Sequence, residues 1–219
     1  MNFIKDIFRG STEKKSLGYK FRQKRMEYFC NLLQNIKTPI KILDLGGTED
    51  LWEQIDFHNN SKYDITLLNL TYNEVSYSNI KSVVGDATNL KQYHENEFDL
   101  IFSNSVIEHL YTKTNQLKMS SEILRVGKYH YCQTPNKHFL VEPHYILPFM
   151  QFLPKKLQYN ILTKTRLSRL KKWDEEFALK YTSEIRLITY KEMQNFFPHS
   201  TIWKEKIFIF SKSFVAHNL

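Results

Sequence analysis

The sequence predicts an α/β fold: a doubly wound, mostly parallel sheet of seven strands, with an antiparallel last strand and helices on both faces. Short apolar segments alternate with helical stretches, which is typical of parallel strands buried on both faces. These segments are residues 41–45, 63–70, 80–86, 98–104 and 128–135. Two further strands, 201–208 and 211–218, are joined by a tight connection. We expect this pair to complete the sheet in an antiparallel manner.

We expect residues 1–219 to form a single domain. We expect an N-terminal region, 1–36, made of an ill-defined arm over 1–18 and a helix over 19–36. Thr38-Pro39 ends that helix, because the residue before a proline avoids the helical conformation.

Other helices are expected at 52–56, 112–126 and 191–197. In the second of these, Leu117, Ile123 and Leu124 are predicted to face inward. Residues 137–186 lose all periodicity and mix aromatic, proline and basic residues. We expect this segment to be an irregular insertion that covers the substrate.

Charge and composition restrict the classes of function. The chain of 219 residues carries a net charge of +8, which favours an anionic partner. It has no apolar run long enough to span a membrane and no secretory signal pattern at its start. Cys30 and Cys132 are expected to be free thiols in a reducing compartment, so we predict a cytoplasmic protein.

The first predicted strand ends in the segment "LDLGGTED", residues 43–50. An open parallel sheet binds ligands at the carboxyl ends of its strands. Gly46 and Gly47 remove side chains where a ligand approaches the backbone, and Thr48 is a reasonable N-cap for the next helix. The glycine spacings of dinucleotide-binding and P-loop proteins are both absent. Asp44 would repel a pyrophosphate and suits a ligand that carries an ammonium group.

Four segments, taken in order, resemble class I S-adenosylmethionine-dependent methyltransferases. They are "LDLGGTED" (43–50), "VVGDATNL" (83–90), "FDLIFSNSVIEHL" (98–110) and "EILRVGKYHYCQTPN" (122–136). The resemblance implies a Rossmann-like fold, S-adenosylmethionine as cofactor and S-adenosylhomocysteine as product. Thr48 and Asp50 replace two glycines of the family's first motif. The segments "FRQKR" (21–25) and "QTPNKHFLVEPHYILPFMQFLP" (133–154) are similar to small bacterial methyltransferases associated with surface-glycan pathways.

The resemblance implies roles for residues at the ends of the strands. Asp44, Gly46 and Gly47 would hold the methionine end of the cofactor, and Arg22 or Arg25 would clamp its carboxylate. The other implied cofactor contacts are Asn69 at the ribose hydroxyls, Asp86 and Ala87 at the adenine, and Ser103 and Asn104 beneath the sulfonium. Asn69 departs from the acidic residue usual at its position.

Methylation of a hydroxyl needs a general base because a sugar hydroxyl has a high pKa. His109 and His144 are the candidate bases, and His138 is a weaker candidate. Glu108 and Glu142 are expected to act as orienting or secondary groups. Some methyltransferases of this fold hold a divalent metal around the same turn, but Ser105 stands where a further carboxylate is expected. We therefore predict no metal.

The sequence leaves several functions open. The leading hypothesis is O-methylation of a sugar or another small molecule of a glycan pathway. The alternatives are a different small metabolite, a nucleic-acid methyltransferase and a non-catalytic cofactor-binding protein; of these, nucleic acid is disfavoured because the fourth strand ends in "SNSV". The basic, aromatic segment 139–173 predicts either peripheral contact with the inner face of a membrane, which would suit a lipid-linked acceptor, or a packed cover over the active site.

Overall fold

The computed structural model describes residues 17–219, so almost all of the predicted N-terminal arm lies outside the described residues. The main sheet contains seven strands, as predicted. Its strands are β1 (Ile40–Leu45), β2 (Tyr63–Asn69), β3 (Ile80–Val84), β4 (Phe98–Asn104), β5 (Gly127–Pro135), β8 (Thr201–Ile207) and β9 (Phe210–His217). A separate two-stranded ribbon consists of β6 (Val141–Glu142) and β7 (Leu147–Pro148).

The strand order of the main sheet is β3-β2-β1-β4-β5-β9-β8. Neighbours from β3 to β5 are parallel, whereas β9 is antiparallel to both β5 and β8. The chain reverses its direction of progress across the sheet between β1 and β4. Such a reversal opens a crevice at the carboxyl ends of the two strands, where open α/β sheets bind ligands.

Six α-helices fall within the described residues. They are α1 (Leu17–Leu33), α2 (Glu49–Gln54), α3 (Lys113–Val126), α4 (Lys155–Lys164), α5 (Glu175–Glu184) and α6 (Tyr190–Phe196). A capping box between Thr189 and Glu192 fixes the start of α6. Thr48 occupies the N-cap position of α2, but its side chain makes no capping hydrogen bond.

The predicted inward face of α3 is wrong at two of its three positions. Ile123 is fully buried, but Leu117 and Leu124 are 40% and 41% exposed. The helix turns the stripe Gln116, Met119, Ile123 and Val126 towards the sheet instead. Gln116 belongs to this stripe because its amide donates to the backbone oxygens of residues 107 and 186, a long-range pairing that apolar periodicity cannot reveal.

Helix α1 packs against one face of the sheet through Met26, Phe29 and Leu33. A buried charge network attaches it there: Arg25 lies 3.5 Å from Glu205, which also accepts hydrogen bonds from Lys212 and Ser213. These partners hold the pKa of Glu205 below its usual value, although burial alone would raise it.

Residues 137–186 were predicted to be irregular, and this prediction is wrong. The segment contains the β6–β7 ribbon and the helices α4 and α5, packed around their own core of Tyr145, Leu162 and Trp173. Asp174 caps α5 by accepting from the amide of Phe177. The helices are short and are stabilised by packing against each other, so their sequences carry only a weak periodic signal.

Candidate active site

The loop after β1 is built around the carboxylate of Asp44. Asp44 is almost completely buried, and one of its oxygens accepts a hydrogen bond of 2.8 Å from the indole nitrogen of Trp52. A Cβ atom on Gly47 would lie 1.7 Å from that carboxylate. Gly46 has a φ of 78°, and a Cβ there would lie 2.6 Å from Val106. Both glycines are therefore required by the packing of this loop, since a larger residue would displace Asp44 or the segment after β4.

Burial raises the pKa of Asp44 to about 7, against the hydrogen bond from Trp52, which lowers it. A carboxylate held at such a pKa is a strong partner for a cation that enters the site. The acid at the end of β1 is thus positioned to recognise a positive group.

A cavity of about 220 Å³ opens beside this loop at the β1/β4 crevice. Its walls include Arg22, Asp44, Gly47 and Asn104. Oδ1 of Asn104 is buried and has no hydrogen-bond partner among the described residues, so a ligand donor would satisfy it. Burial and the charge of Arg25 lower the pKa of Arg22. Of the two arginines considered for the carboxylate clamp, only Arg22 lines the cavity, whereas Arg25 is paired with Glu205.

Polar residues at the end of β2 and after β3 lie along the same edge of the sheet. Asn69 donates through its side-chain amide to the backbone oxygen of Gly47 at 3.0 Å, so it braces the glycine loop and keeps its amide oxygen for a ligand. The backbone oxygen of Asn69 accepts from the amide of Gly85. Asp86 follows and caps a turn by accepting from Thr88, and Ala87 packs partly against the core.

Ser103 and Asn104 end β4 but differ in their surroundings. Asn104 lines the cavity, as described above. Ser103 is fully buried, and its hydroxyl has no hydrogen-bond partner within residues 17–219. It is not among the residues that line the cavity, so the structure brings only Asn104 of this pair to the cavity wall.

The three predicted catalytic residues lie together. Glu108 and His109 are on a 3-10 turn directly after β4, and His144 comes from the insertion. Each offers one ligand or proton-accepting atom, and these atoms all lie within 4.8 Å of one another. The two imidazole rings meet edge to face with centroids 5.1 Å apart. We call Glu108, His109 and His144 the Glu-His-His cluster.

Two further carboxylates orient the imidazoles of this cluster. Nδ1 of His109 lies 2.7 Å from Glu184, and Nδ1 of His144 lies 2.6 Å from Glu142. Burial alone would lower the pKa of His144, but Glu142 outweighs it and the pKa is raised. Each imidazole is thereby fixed in its orientation and keeps Nε2 for other partners.

Glu108 is fully buried beside both rings. Its Oε2 accepts from Thr134 at 3.0 Å, while its Oε1 has no partner in the described part of the chain. Burial raises the pKa of Glu108, opposed by the neighbouring histidines.

Sequence reasoning missed Trp52, Thr134 and Glu184 as parts of the site. Glu184 is 75 residues from His109 along the chain, and no local motif surrounds it. Trp52 was predicted only as part of a helix. Its hydrogen bond to Asp44 forms because the tight turn at Gly46 and Gly47 brings the helix back to the end of β1.

Comparison with known proteins gives one family match. Residues 49–130 match a family model described as a methyltransferase domain. No curated protein matches this chain.

Solved structures of similar fold include several methyltransferases. An S-adenosylmethionine-dependent methyltransferase from Methanosarcina mazei is 15% identical, with a TM-score of 0.51 over 85% of this chain and 95% of that one. Another from Aquifex aeolicus is 13% identical, with a TM-score of 0.52 over 90% and 89%. The CurJ carbon methyltransferase is 10% identical, with a TM-score of 0.56 over 91% of this chain and 54% of that one.

Proposed function

We propose that this chain is an S-adenosylmethionine-dependent methyltransferase and that it transfers the methyl group to a hydroxyl oxygen of a sugar or another small molecule of a glycan pathway. The observation that carries this proposal is a polar, cationic cavity beside the Glu-His-His cluster. The cofactor would occupy the cavity at the β1/β4 crevice, and the acceptor a second cavity whose wall includes Glu142, the partner of His144.

The cavity at the β1/β4 crevice suits S-adenosylmethionine. The cofactor's ammonium group would pair with Asp44, and its carboxylate with Arg22. The unpaired Oδ1 of Asn104 can accept from the same end of the cofactor. Asn69 would accept from a ribose hydroxyl, and Asp86 with Ala87 would face the adenine. Ser103 would support the sulfonium region from beneath.

When bound, the cofactor supplies a methyl group on a positively charged sulfur, which an acceptor oxygen attacks in line. The protein contributes alignment, which accounts for a large part of the barrier reduction in such displacements. The acceptor hydroxyl must also lose its proton. Only the Glu-His-His cluster, among the described residues, places two imidazoles and a carboxylate together after β4, so we assign that step to Glu108, His109 and His144.

The second cavity, of about 130 Å³, would bind the acceptor. Glu142, which orients His144, forms part of its wall. Three polar atoms of its lining residues are buried without a partner inside residues 17–219: the hydroxyl of Tyr145 and the amide oxygens of Gln151 and Gln158. Amide oxygens require donors, which sugar hydroxyls supply.

Basic side chains form the rest of the polar lining of this cavity. Lys137, Lys155 and Arg186 line it, and Lys155 donates to the backbone oxygen of Ile185 at 2.9 Å. The guanidinium of Arg186 is largely engaged by Gln116 and Glu192, so the two lysines are the groups left for a negative charge. A ligand with hydroxyls and a carboxylate or phosphate matches this lining.

Peripheral contact with an anionic membrane surface would bring such an enzyme to a lipid-linked acceptor. No helix of the described residues is long and apolar enough to cross a membrane. Within 139–173, however, Phe149, Phe152, Leu167 and Leu170 are exposed beside a run of lysines and arginines. Exposed apolar side chains next to basic ones bind the headgroup region of anionic bilayers.

An acceptor screen tests the proposal. The protein is incubated with methyl-labelled S-adenosylmethionine and with nucleotide-linked sugars, lipid-linked glycans, phenols, carboxylic acids or tRNA, and label transfer is measured. We expect transfer to an anionic sugar. The Lys155→Met variant should raise the KM for that acceptor, while the matched Lys156→Met variant on the same helix should not. Label on tRNA or on a phenol alone would reject the glycan assignment.

A further inference from the structure

We propose that the Glu-His-His cluster binds a divalent transition-metal ion of the Zn²⁺ type, with Glu108, His109 and His144 as its protein ligands. Such an ion would reverse the sequence prediction of no metal. Its catalytic role rests on the proposed function, but the binding itself does not.

The arrangement of the imidazoles is that of metal ligands. In metal sites, a histidine that binds the ion through one nitrogen usually donates the other N–H to a carboxylate or a carbonyl. Here both histidines are held in this way, His109 by Glu184 and His144 by Glu142, at 2.7 and 2.6 Å. Both Nε2 atoms therefore keep a lone pair and are fixed in direction.

A bound ion would also satisfy the unpaired oxygen of the third ligand, Glu108. Glu108 is fully buried, and its Oε1 lacks a partner among the described residues. A buried carboxylate oxygen without a hydrogen bond is rare because it loses its hydration without compensation. Its neighbours are the two imidazoles, with the candidate ligand atoms within 4.8 Å of each other. A cation between them would compensate for the loss of hydration.

The donor set selects the class of ion. Two imidazoles and one carboxylate suit Zn²⁺ and similar transition metals, whereas Mg²⁺ and Ca²⁺ prefer oxygen ligands. Three protein ligands also leave a coordination position open, as in catalytic rather than structural zinc sites.

Sequence reasoning rejected a metal because Ser105 replaces an expected carboxylate. In the structure the Ser105 hydroxyl donates to Gln133 at 2.8 Å, so it is committed elsewhere. The missing ligand is instead supplied by His144, which the insertion brings to Glu108 from 36 positions further along the chain.

A bound ion would change how the cluster assists the reaction. Its positive charge would lower the pKa of a hydroxyl beside it, and the imidazoles would hold the ion instead of acting as free bases. The negative charge of Glu142 and Glu184 behind the histidines would strengthen their binding to the ion.

Spectroscopic titration tests the site without any acceptor. Protein stripped with a chelator is titrated with Co²⁺, which gives visible absorption bands when bound by nitrogen and oxygen ligands, and is then titrated with Zn²⁺. We expect one equivalent of Co²⁺ to bind, and Zn²⁺ to remove the bands by displacement. Glu108→Gln and His144→Gln should weaken Co²⁺ binding at least about tenfold.

The matched control is His138→Gln, because His138 is an exposed histidine of the same insertion outside the cluster. It should bind Co²⁺ like the wild type, and circular dichroism should show that all three variants fold. Absence of Co²⁺ bands and of Zn²⁺ binding in the wild type, or equal affinity in all variants, would overturn the proposal. Methylation of a sugar by the metal-free protein would keep the proposed function but reject the ion's role in it.

Discussion

The affinity for S-adenosylhomocysteine should depend on pH through Asp44. The pKa of this carboxyl group is raised to about 7 by burial, so in the unliganded protein it is mostly protonated at pH 5. The ammonium group of the ligand requires the ionised form, and binding must therefore release a proton. The ligand's own amino group is less acidic than a polypeptide N-terminus because a carboxylate lies beside it, so it stays protonated from pH 5 to 7. Asp44 therefore controls this window.

The magnitude follows from the fraction of Asp44 that is ionised. With a pKa of about 7, that fraction is about 1% at pH 5 and about half at pH 7, so the dissociation constant should fall about fiftyfold over this range. The stability of the unliganded protein should change with pH in the direction opposite to the ligand affinity. A raised carboxyl pKa stabilises the fold fully below about pH 4, and this contribution is lost as the pH rises through 7.

Isothermal titration calorimetry in buffers of different ionisation enthalpy measures both the affinity and the released proton. The control is Asp44→Asn, which keeps the size of the side chain and its ability to accept from Trp52. This variant should bind the ligand more weakly and without pH dependence between pH 5 and 7. A flat profile in the wild type, or the same slope in both proteins, would refute the role assigned to Asp44.

Three further predictions concern the loop and the core. Gly47→Ala should weaken S-adenosylhomocysteine binding at least about tenfold in the same titration, because its Cβ would lie 1.7 Å from the Asp44 carboxylate; unchanged affinity would contradict the loop geometry. Burial, with a nearby histidine, lowers the pKa of His130 to about 4, so between pH 6.5 and 4 the unfolding free energy of the wild type should fall by up to about 3 kcal/mol relative to that of His130→Gln. Urea denaturation of both proteins measures this difference, in which the opposite contribution of Asp44 cancels. Glu205→Ala should lower the unfolding free energy by about 3–5 kcal/mol because it leaves Arg25 as an uncompensated buried charge, and a loss below about 1 kcal/mol in the same assay would show that the network contributes little.

The strands and the glycine loop could be predicted from sequence because their signals are local. The segment 98–104 has an apolar centre, Leu100–Phe102, followed by polar residues, and its predicted bounds agree with β4, Phe98–Asn104. The antiparallel pairing of the last two strands followed from the tight connection between them. Such features depend on neighbours a few positions away, which a single sequence displays directly.

The site around the cluster depended on pairings that a sequence does not display. His109 and His144 were recognisable as candidates, but their meeting requires the insertion to fold back onto the turn after β4. That contact is made by the backbone, where the amide of Arg186 donates to the oxygen of Glu108 and that of Tyr111 to the oxygen of Glu184. Main-chain contacts of this kind leave no pattern of residue types.

The most direct test of the cofactor site is a crystal structure of the protein with S-adenosylhomocysteine. We predict the amino acid end of the ligand against Asp44, Gly47 and Asn104, with the adenine beside Asp86 and Ala87. A ligand bound in the cavity lined by Lys137 and Lys155, or no ligand at millimolar concentration, would contradict the assignment of the β1/β4 crevice as the site of methyl transfer.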